Sequence, residues 1–312
     1  MKAWVLHKAN DIRYDDIDMP HTSKGHALIK VQNAGICSSD ISRIYITGAY
    51  KHPIIPGHEF SGVVKDVGHS GDISWIGKRV SAFPLIPCFT CKECLKTNYE
   101  TCINYSYIGS RQNGAFAEYV SVPVWNLIEI PVTIDSETAA LLEPITVALH
   151  AVKKMDFANV NTAAIVGSGP IGHLIALWLI YFGINDVVII KRDSPMCEVD
   201  ACFEAVGSSN ALERCINSTR PNGQVILVGN PNTEFLITQS LYWQILRKQL
   251  KIFGTWNSQF RNEWEYATDI MSLNTIQFSD IISHKYKLCF LNTALDMMLK
   301  RKENRCKVIL SM

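Results

Sequence analysis

The sequence predicts an α/β protein in two parts: an all-β half running to about Val132, then a helix, then a half whose strands and helices alternate as in a doubly wound parallel sheet. Three observations carry this expectation. Gly and Pro interrupt the first 132 residues every few positions, between short runs rich in β-branched residues such as 27–31 and 60–64, which is the texture of short strands and turns. From Asn161 the chain changes to an apolar strand, a glycine-rich turn and a long apolar helix, the start of a βαβ unit. The length of 312 residues, 47% hydrophobic and 19% charged, is enough for about two domains with their own cores.

The apolar run at 3–6 is too short for the core of a secretory signal and reads as a first strand. Asp135 or Ser136 offers a helix N-cap, and apolar residues at helical spacing continue to about Met155, which predicts a connecting helix. The longest apolar stretch, 171–184, is interrupted by His173 and falls short of the roughly 18 residues of a membrane span, so it reads as a buried helix. Further strands are expected at 186–190, 201–206 and 224–228. The expected division is 1–155, 156–283 and a C-terminal return at 284–312.

Thirty basic and 29 acidic residues are scattered without long blocks, for a net charge of +1. This pattern argues against nucleic acid or an anionic membrane as partner and favours a small solute. Nothing directs export, so the ten cysteines are expected in a reducing cytoplasm, where clustered thiols mean metal more often than disulfides.

Cys88, Cys91, Cys94 and Cys102 read C-x2-C-x2-C-x7-C within a short polar loop, 88–102. Four thiolates close tetrahedrally on Zn²⁺ and order a loop that has little core of its own. An iron–sulfur cluster or incidental cysteines are the alternatives, and a closed thiolate tetrahedron favours zinc. With no open position, that zinc is structural.

Three further segments, 35–40 (Gly-Ile-Cys-Ser-Ser-Asp), 57–60 (Gly-His-Glu-Phe) and 142–144 (Leu-Glu-Pro), supply a thiolate, an imidazole and carboxylates. Three such ligands leave zinc a fourth position for an alcohol oxygen, where the metal acts as a Lewis acid. Ser39, two residues after Cys37, is placed to pass a proton towards solvent. Taken singly, Cys37 reads as core packing, His58 as a turn residue and Glu143 as a helix start. Their order around the cysteine lobe favours the metal reading.

The residues at 163–172, Ala-Ala-Ile-Val-Gly-Ser-Gly-Pro-Ile-Gly, place G-x-G-x-x-G between a strand and a helix. Gly167 and Gly169 let the backbone approach a pyrophosphate, and Pro170, Ile171 and Gly172 open a helix whose N-terminus offers free N–H groups. The acid expected after the next strand, which would bind the ribose of NAD, is replaced by Lys191-Arg192-Asp193. Either Asp193 serves from a shifted position, or Lys191 and Arg192 meet the 2′-phosphate of NADP, or the pair is a solvated strand end.

Cys37, the 57–59 triplet, the cysteine lobe, 114–119 (Gly-Ala-Phe-Ala-Glu-Tyr) and Glu143-Pro144 together resemble the zinc-containing medium-chain dehydrogenases over nearly the whole chain. Within that family, 87–96, 107–111 and 143–150 are most similar to the galactitol-1-phosphate 5-dehydrogenases, with sorbitol and butanediol dehydrogenases next. The resemblance implies a GroES-like β-barrel followed by a Rossmann domain. It also implies a catalytic zinc on Cys37, His58 and Glu143, with Glu59 adjacent or exchanging as a ligand, and Ser39 as proton relay. The implied reaction moves hydride from a secondary alcohol of a polyol or polyol phosphate to NAD or NADP, within a homodimer or homotetramer. Arg111 and Lys51 are available for a phosphate. Ser38 and Ala115 depart from frequent glycines of the family, and so does Cys306; none removes a ligand.

A larger departure lies at 192–199, where eight residues replace the helix, strand and helix that the family places between two strands. Eight residues reach under roughly 29 Å, and a normal crossover needs at least about ten to twelve. No helix is expected there, and Val188 and Ile190 are expected to lose their cover. The gap keeps a second reading open, an inactive deletion remnant stabilised by zinc.

Overall fold

The computed structural model describes residues 1–191, 194–195, 197–231, 233–300 and 306–312. The chain divides into two compact units, Met1–Glu143 with Gln259–Met312, and Pro144–Ser258. No helix among the described residues is long and apolar enough to cross a membrane.

The first unit opens with a hairpin of β1 (Lys2–Lys8) and β2 (Asp11–Asp16). Strand β3 (His26–Ile36) organises the rest, and the short helix α1 (Ser38–Ser42) leaves its end. There follow β4 (Glu59–Val67), β5 (Arg79–Ala82), and β6 (Leu85–Ile86) paired with β7 (Ser106–Tyr107) around the cysteine lobe, then β8 (Tyr119–Pro123) and β9 (Leu127–Glu129). Asp135 caps α2 (Ser136–Ala139) by accepting from the Glu137 and Thr138 amides. The single helix expected from there to 155 is two: α2 ends, and α3 spans Leu142–Lys153. Pro144 accounts for the break, because it has no N–H to donate to the Ala140 carbonyl four residues back.

The second unit carries a parallel sheet built from β10 (Thr162–Val166), β11 (Asp186–Ile190), β12 (Val199–Glu204), β13 (Thr219–Leu227) and β14 (Lys251–Gly254). Its helices are α4 (Pro170–Tyr181), α5 (Ser209–Ser218) and α6 (Gln239–Lys248). The strand order is β11-β10-β12-β13-β14. The central strands β10 and β12 are buried almost throughout, as parallel strands covered on both faces must be. Helix α3 is anchored here: the Trp178 indole of α4 donates to the Ile145 carbonyl at 3.0 Å. That anchor accounts for the unit beginning at Pro144 rather than at the expected 156.

The eight-residue link leaves β11 as the sheet edge and returns past β10 to β12. Its described residues form no helix. Arg214 of α5 pins it, donating to the Lys191 carbonyl at 2.7 Å and the Ser194 carbonyl at 2.6 Å. Val188 is 41% exposed, as expected of an uncovered edge, but Ile190 is buried. Both point the same way along the strand. Ile190 is covered because it joins a cluster with Val199, Leu212 and Cys215, the last two from α5.

The chain then returns through α7 (Asn262–Ser272), β15 (Ile282–Lys287), α8 (Leu291–Lys300) and β16 (Lys307–Ser311) to the first unit. Return starts at Gln259, earlier than the expected 284, because Phe260 stacks on Phe83 at 4.9 Å and Trp264 meets the same ring edge-on at 5.7 Å. The seven-stranded sheet runs β15-β16-β3-β4-β5-β9, with β8 also on β3. Strand β3 thus has β4 along one side and shares the other between β8, at 26–30, and β16, at 33–36. Its inner face joins Trp4, Phe60, Phe116 and Leu295 in one apolar core.

Candidate metal and cofactor sites

The sulfurs of Cys88, Cys91, Cys94 and Cys102 lie within 4.8 Å of one another. The loop aims its own donors at them: the Cys91 amide donates to Cys88 Sγ at 3.4 Å and the Cys88 amide to Cys102 Sγ at 3.3 Å. The Thr90 hydroxyl, then backbone N–H groups, draw the Cys88 thiol down to about 6. Backbone donors lower Cys91 as well, whereas burial pushes Cys94 up to about 12 and raises Cys102. Four thiolates this close need a cation to ionise together, and the closed donor set fits zinc. Under the lobe, Phe89 and Tyr99 each meet Trp125 at 4.9 Å.

The second cluster is built by the pairing of β3 with β4. Gly35 stands opposite Glu59, so Cys37, just past the end of β3, comes beside His58 and Glu59. Ligand atoms of Cys37, His58 and Glu59 lie within 4.8 Å of one another. Asp40, fully buried, places Oδ1 3.2 Å from His58 Nδ1. That is an ion-pair contact out of hydrogen-bond alignment, so neither atom has a hydrogen bond. Burial by itself depresses the imidazole, yet the Asp40 charge overcomes it and holds His58 well above the ordinary histidine range. Nδ1 faces a carboxylate, which leaves Nε2 as the atom available to a metal, as is usual where a carboxylate backs a metal-binding imidazole.

Glu59 forms a buried ion pair with Lys307, and Lys307 Nζ also donates to the Ile36 carbonyl at 3.2 Å. Glu143, in the first turn of α3, is buried and accepts from the Tyr107 hydroxyl at 3.5 Å. Burial pushes Glu143 up to about 7, against the pull of His58 and with the push of Glu59. The structure therefore gathers Cys37, His58 and Glu59 tightly and sets Glu143 within their field, outside the 4.8 Å trio. Ser39 is half-buried, and its Oγ accepts from Arg43 Nη1 at 2.9 Å. Sequence reasoning assigned no role to Lys307, Tyr107 or Arg43. Lys307 carries no local signal, because it arrives from a strand 248 positions after Glu59 (307 less 59).

In the second unit β10 ends at Val166, and Gly167 turns the chain with φ +125, a conformation open mainly to glycine. Gly169 is the N-cap of α4, with open space where a Cβ would stand, and Pro170 takes the first helical position. A Cβ on Gly172 would overlap the Gly167 carbonyl oxygen, so the helix can start this close to the strand only with glycine there. Gly167, Gly169, Pro170, Ile171 and Gly172 thus form a strand-turn-helix corner whose free N–H groups have the geometry that suits a pyrophosphate. Lys191 is exposed; Arg192 and Asp193 lie outside the described residues.

Residues 23–132 match the alcohol dehydrogenase GroES-like domain and 185–272 the zinc-binding dehydrogenase family. Galactitol 1-phosphate 5-dehydrogenase of Escherichia coli (strain K12) is 31% identical, over 82% of this chain and 84% of the relative. Sorbitol dehydrogenase of Bacillus subtilis (strain 168) is 25% identical over 99% and 96%. The solved NADH complex of the alcohol dehydrogenase rspB of Escherichia coli CFT073 superposes with a TM-score of 0.91 at 25% identity, covering 100% of this chain and 99% of that one. The cysteine clusters, the seven-stranded sheet, the nucleotide corner and these likenesses agree: the chain belongs to the zinc-dependent medium-chain alcohol dehydrogenases, NAD(P)-dependent oxidoreductases that join a GroES-like domain to a Rossmann domain.

Proposed function

We propose that the protein oxidises a secondary alcohol of a polyol or polyol phosphate in the cytoplasm, with galactitol 1-phosphate, giving a ketose 6-phosphate, as the first choice and sorbitol or butanediol as alternatives. The observation that carries it is the Cys37, His58 and Glu59 donor set, gathered within 4.8 Å and backed by Asp40, Lys307 and Glu143. Zinc on these residues supplies the Lewis acidity that acidifies an alcohol, and NAD(P) on the glycine corner supplies the hydride acceptor. Asp40 keeps the His58 ring oriented, and Lys307 balances the Glu59 charge. Ser39, half-buried and held by Arg43, takes the alcohol proton towards solvent. Glu143 either completes the metal set or alternates with Glu59. The edge strand β14 and the exposed Tyr242, Trp243 and Leu246 of α6 support assembly as a homodimer or homotetramer.

A second reading is the inactive, zinc-stabilised deletion remnant. It is favoured by the eight-residue link and by the alignment with sorbitol dehydrogenase, which runs over 345 positions and leaves at least 33 of them (345 less 312) without a residue here. The deciding test is titration of the zinc-loaded chain with NADH and NADPH, followed by cofactor fluorescence, with turnover measured before and after chelation. Saturable binding and zinc-dependent turnover are expected, and the tighter cofactor reports the role of Lys191 and Arg192. A folded chain that binds neither cofactor would establish the remnant reading. Sequencing transcripts across codons 190 to 200 separates a natural deletion from an artefact.

A further inference from the structure

We propose that Arg111 recognises an anionic phosphate on the substrate, so that the enzyme takes a phosphorylated polyol in preference to a neutral one. This rests on the polyol reading above and narrows it to one substrate class. The Arg111 guanidinium carbon lies 4.1 Å from the ring centre of Tyr50 and 4.6 Å from that of Tyr105. Two rings therefore occupy the faces of a cation that is charged at every working pH. What remains is its edge, a planar fork of N–H donors whose best partner is a phosphate or carboxylate bound edge-on. Its Nε is buried with no acceptor among the described residues. The Nη groups are therefore the donors an anion would meet, and it would supply the counter-charge that the guanidinium lacks.

The turn that carries Arg111 begins at Tyr107, the tyrosine beside His58. Arg111 is held by a tight turn in which its own amide and that of Gln112 donate to the Tyr107 carbonyl at 2.9 and 3.0 Å. Tyr105 meets Tyr107 at 6.3 Å, and Tyr107 meets His58 at 5.7 Å. Packed rings thus connect Arg111 to the imidazole of the candidate metal site. Tyr50, on the other face, is 70% exposed, so the guanidinium is screened on one side by a ring that solvent reaches.

The test compares wild type, Arg111→Met and Arg111→Lys, each zinc-loaded, on galactitol 1-phosphate, on neutral galactitol and on a hexonate that carries a carboxylate. Inorganic phosphate binding is measured by calorimetry on the same three proteins. For the phosphorylated polyol, Arg111→Met should raise KM by about 10- to 100-fold, the range for losing a charge-assisted hydrogen bond, with kcat little changed. The neutral polyol should be indifferent, and Arg111→Lys should recover part of the loss. An equal loss on charged and neutral substrates overturns the proposal, as does a preference for the hexonate. If wild type turns over no polyol, the polyol reading fails by itself, and phosphate binding then decides: weakening in Arg111→Met supports the anion site, and no binding to wild type overturns it.

Discussion

Replacing Lys307 by Met should destabilise the metal-free protein by about 3–5 kcal/mol, the cost of leaving one member of a buried ion pair unpaired. Lys307 and Glu59 are each only 2% exposed in their side chains, so water cannot take over for the missing ammonium. Burial by itself draws the Lys307 ammonium down, yet the Glu59 charge outweighs it and holds the group above the ordinary lysine range. Met keeps most of the volume, so the loss is electrostatic and not a cavity. Two controls follow from the same geometry. The double variant Lys307→Met with Glu59→Gln removes the stranded charge and should regain most of the stability. In zinc-loaded protein the bound cation offers Glu59 a second counter-charge, so the loss from Lys307→Met should be smaller there. Equilibrium urea unfolding at pH 7, with and without chelator, reads all of these. A metal-free Lys307→Met within about 1 kcal/mol of wild type, well under the unpaired-charge range, or a double variant no more stable than the single, would refute the reasoning.

Other outcomes follow from other parts of the molecule. Glu143 is pushed from 4.5 to about 7 by burial, so its contribution to metal-free stability is fully present below about pH 4.5 and is lost as pH rises through about 7. Its size is about 3 kcal/mol, and Glu143→Gln should flatten the stability profile across that window; an unchanged slope counts against the assignment. Lys248 Nζ donates to the carbonyls of Ile216, Asn217 and Thr219 at 2.9, 3.0 and 2.8 Å, closing the C-terminal end of α5. Lys248→Met should cost about 1–3 kcal/mol in urea unfolding, and a change too small to measure would show that the cap is idle. Elemental analysis of Cys88→Ser/Cys91→Ser should find one zinc per chain where wild type holds two, with new protease cuts inside 88–102; two zincs in the variant would exclude the thiolate cluster as a site.

The parts legible from the residues alone are those whose chemistry is local. Four cysteines within fifteen positions, and three glycines at a strand-to-helix corner, bring their ligating or turning groups together through a short stretch of backbone whatever the rest of the chain does. The two-part architecture was equally plain, because period and punctuation change at Asn161. Other features depend on which strands pair and in what register. Glu59 lies opposite Gly35, and Val308 opposite Ile36, and only those two registers carry the Lys307 ammonium to the Glu59 carboxylate. The resemblance implies Glu143 as a ligand with Glu59 adjacent or exchanging, and the pairing of β3 with β4 sets Glu59 in the tight trio with Cys37 and His58. Cover for Ile190 comes from α5, a helix that follows it by 19 residues (209 less 190), and no pattern within the strand announces it. Local motifs survive any global arrangement; a buried charge pair or a covered edge residue exists only once distant segments have packed, because the low dielectric and the excluded water that define it are properties of the assembled core.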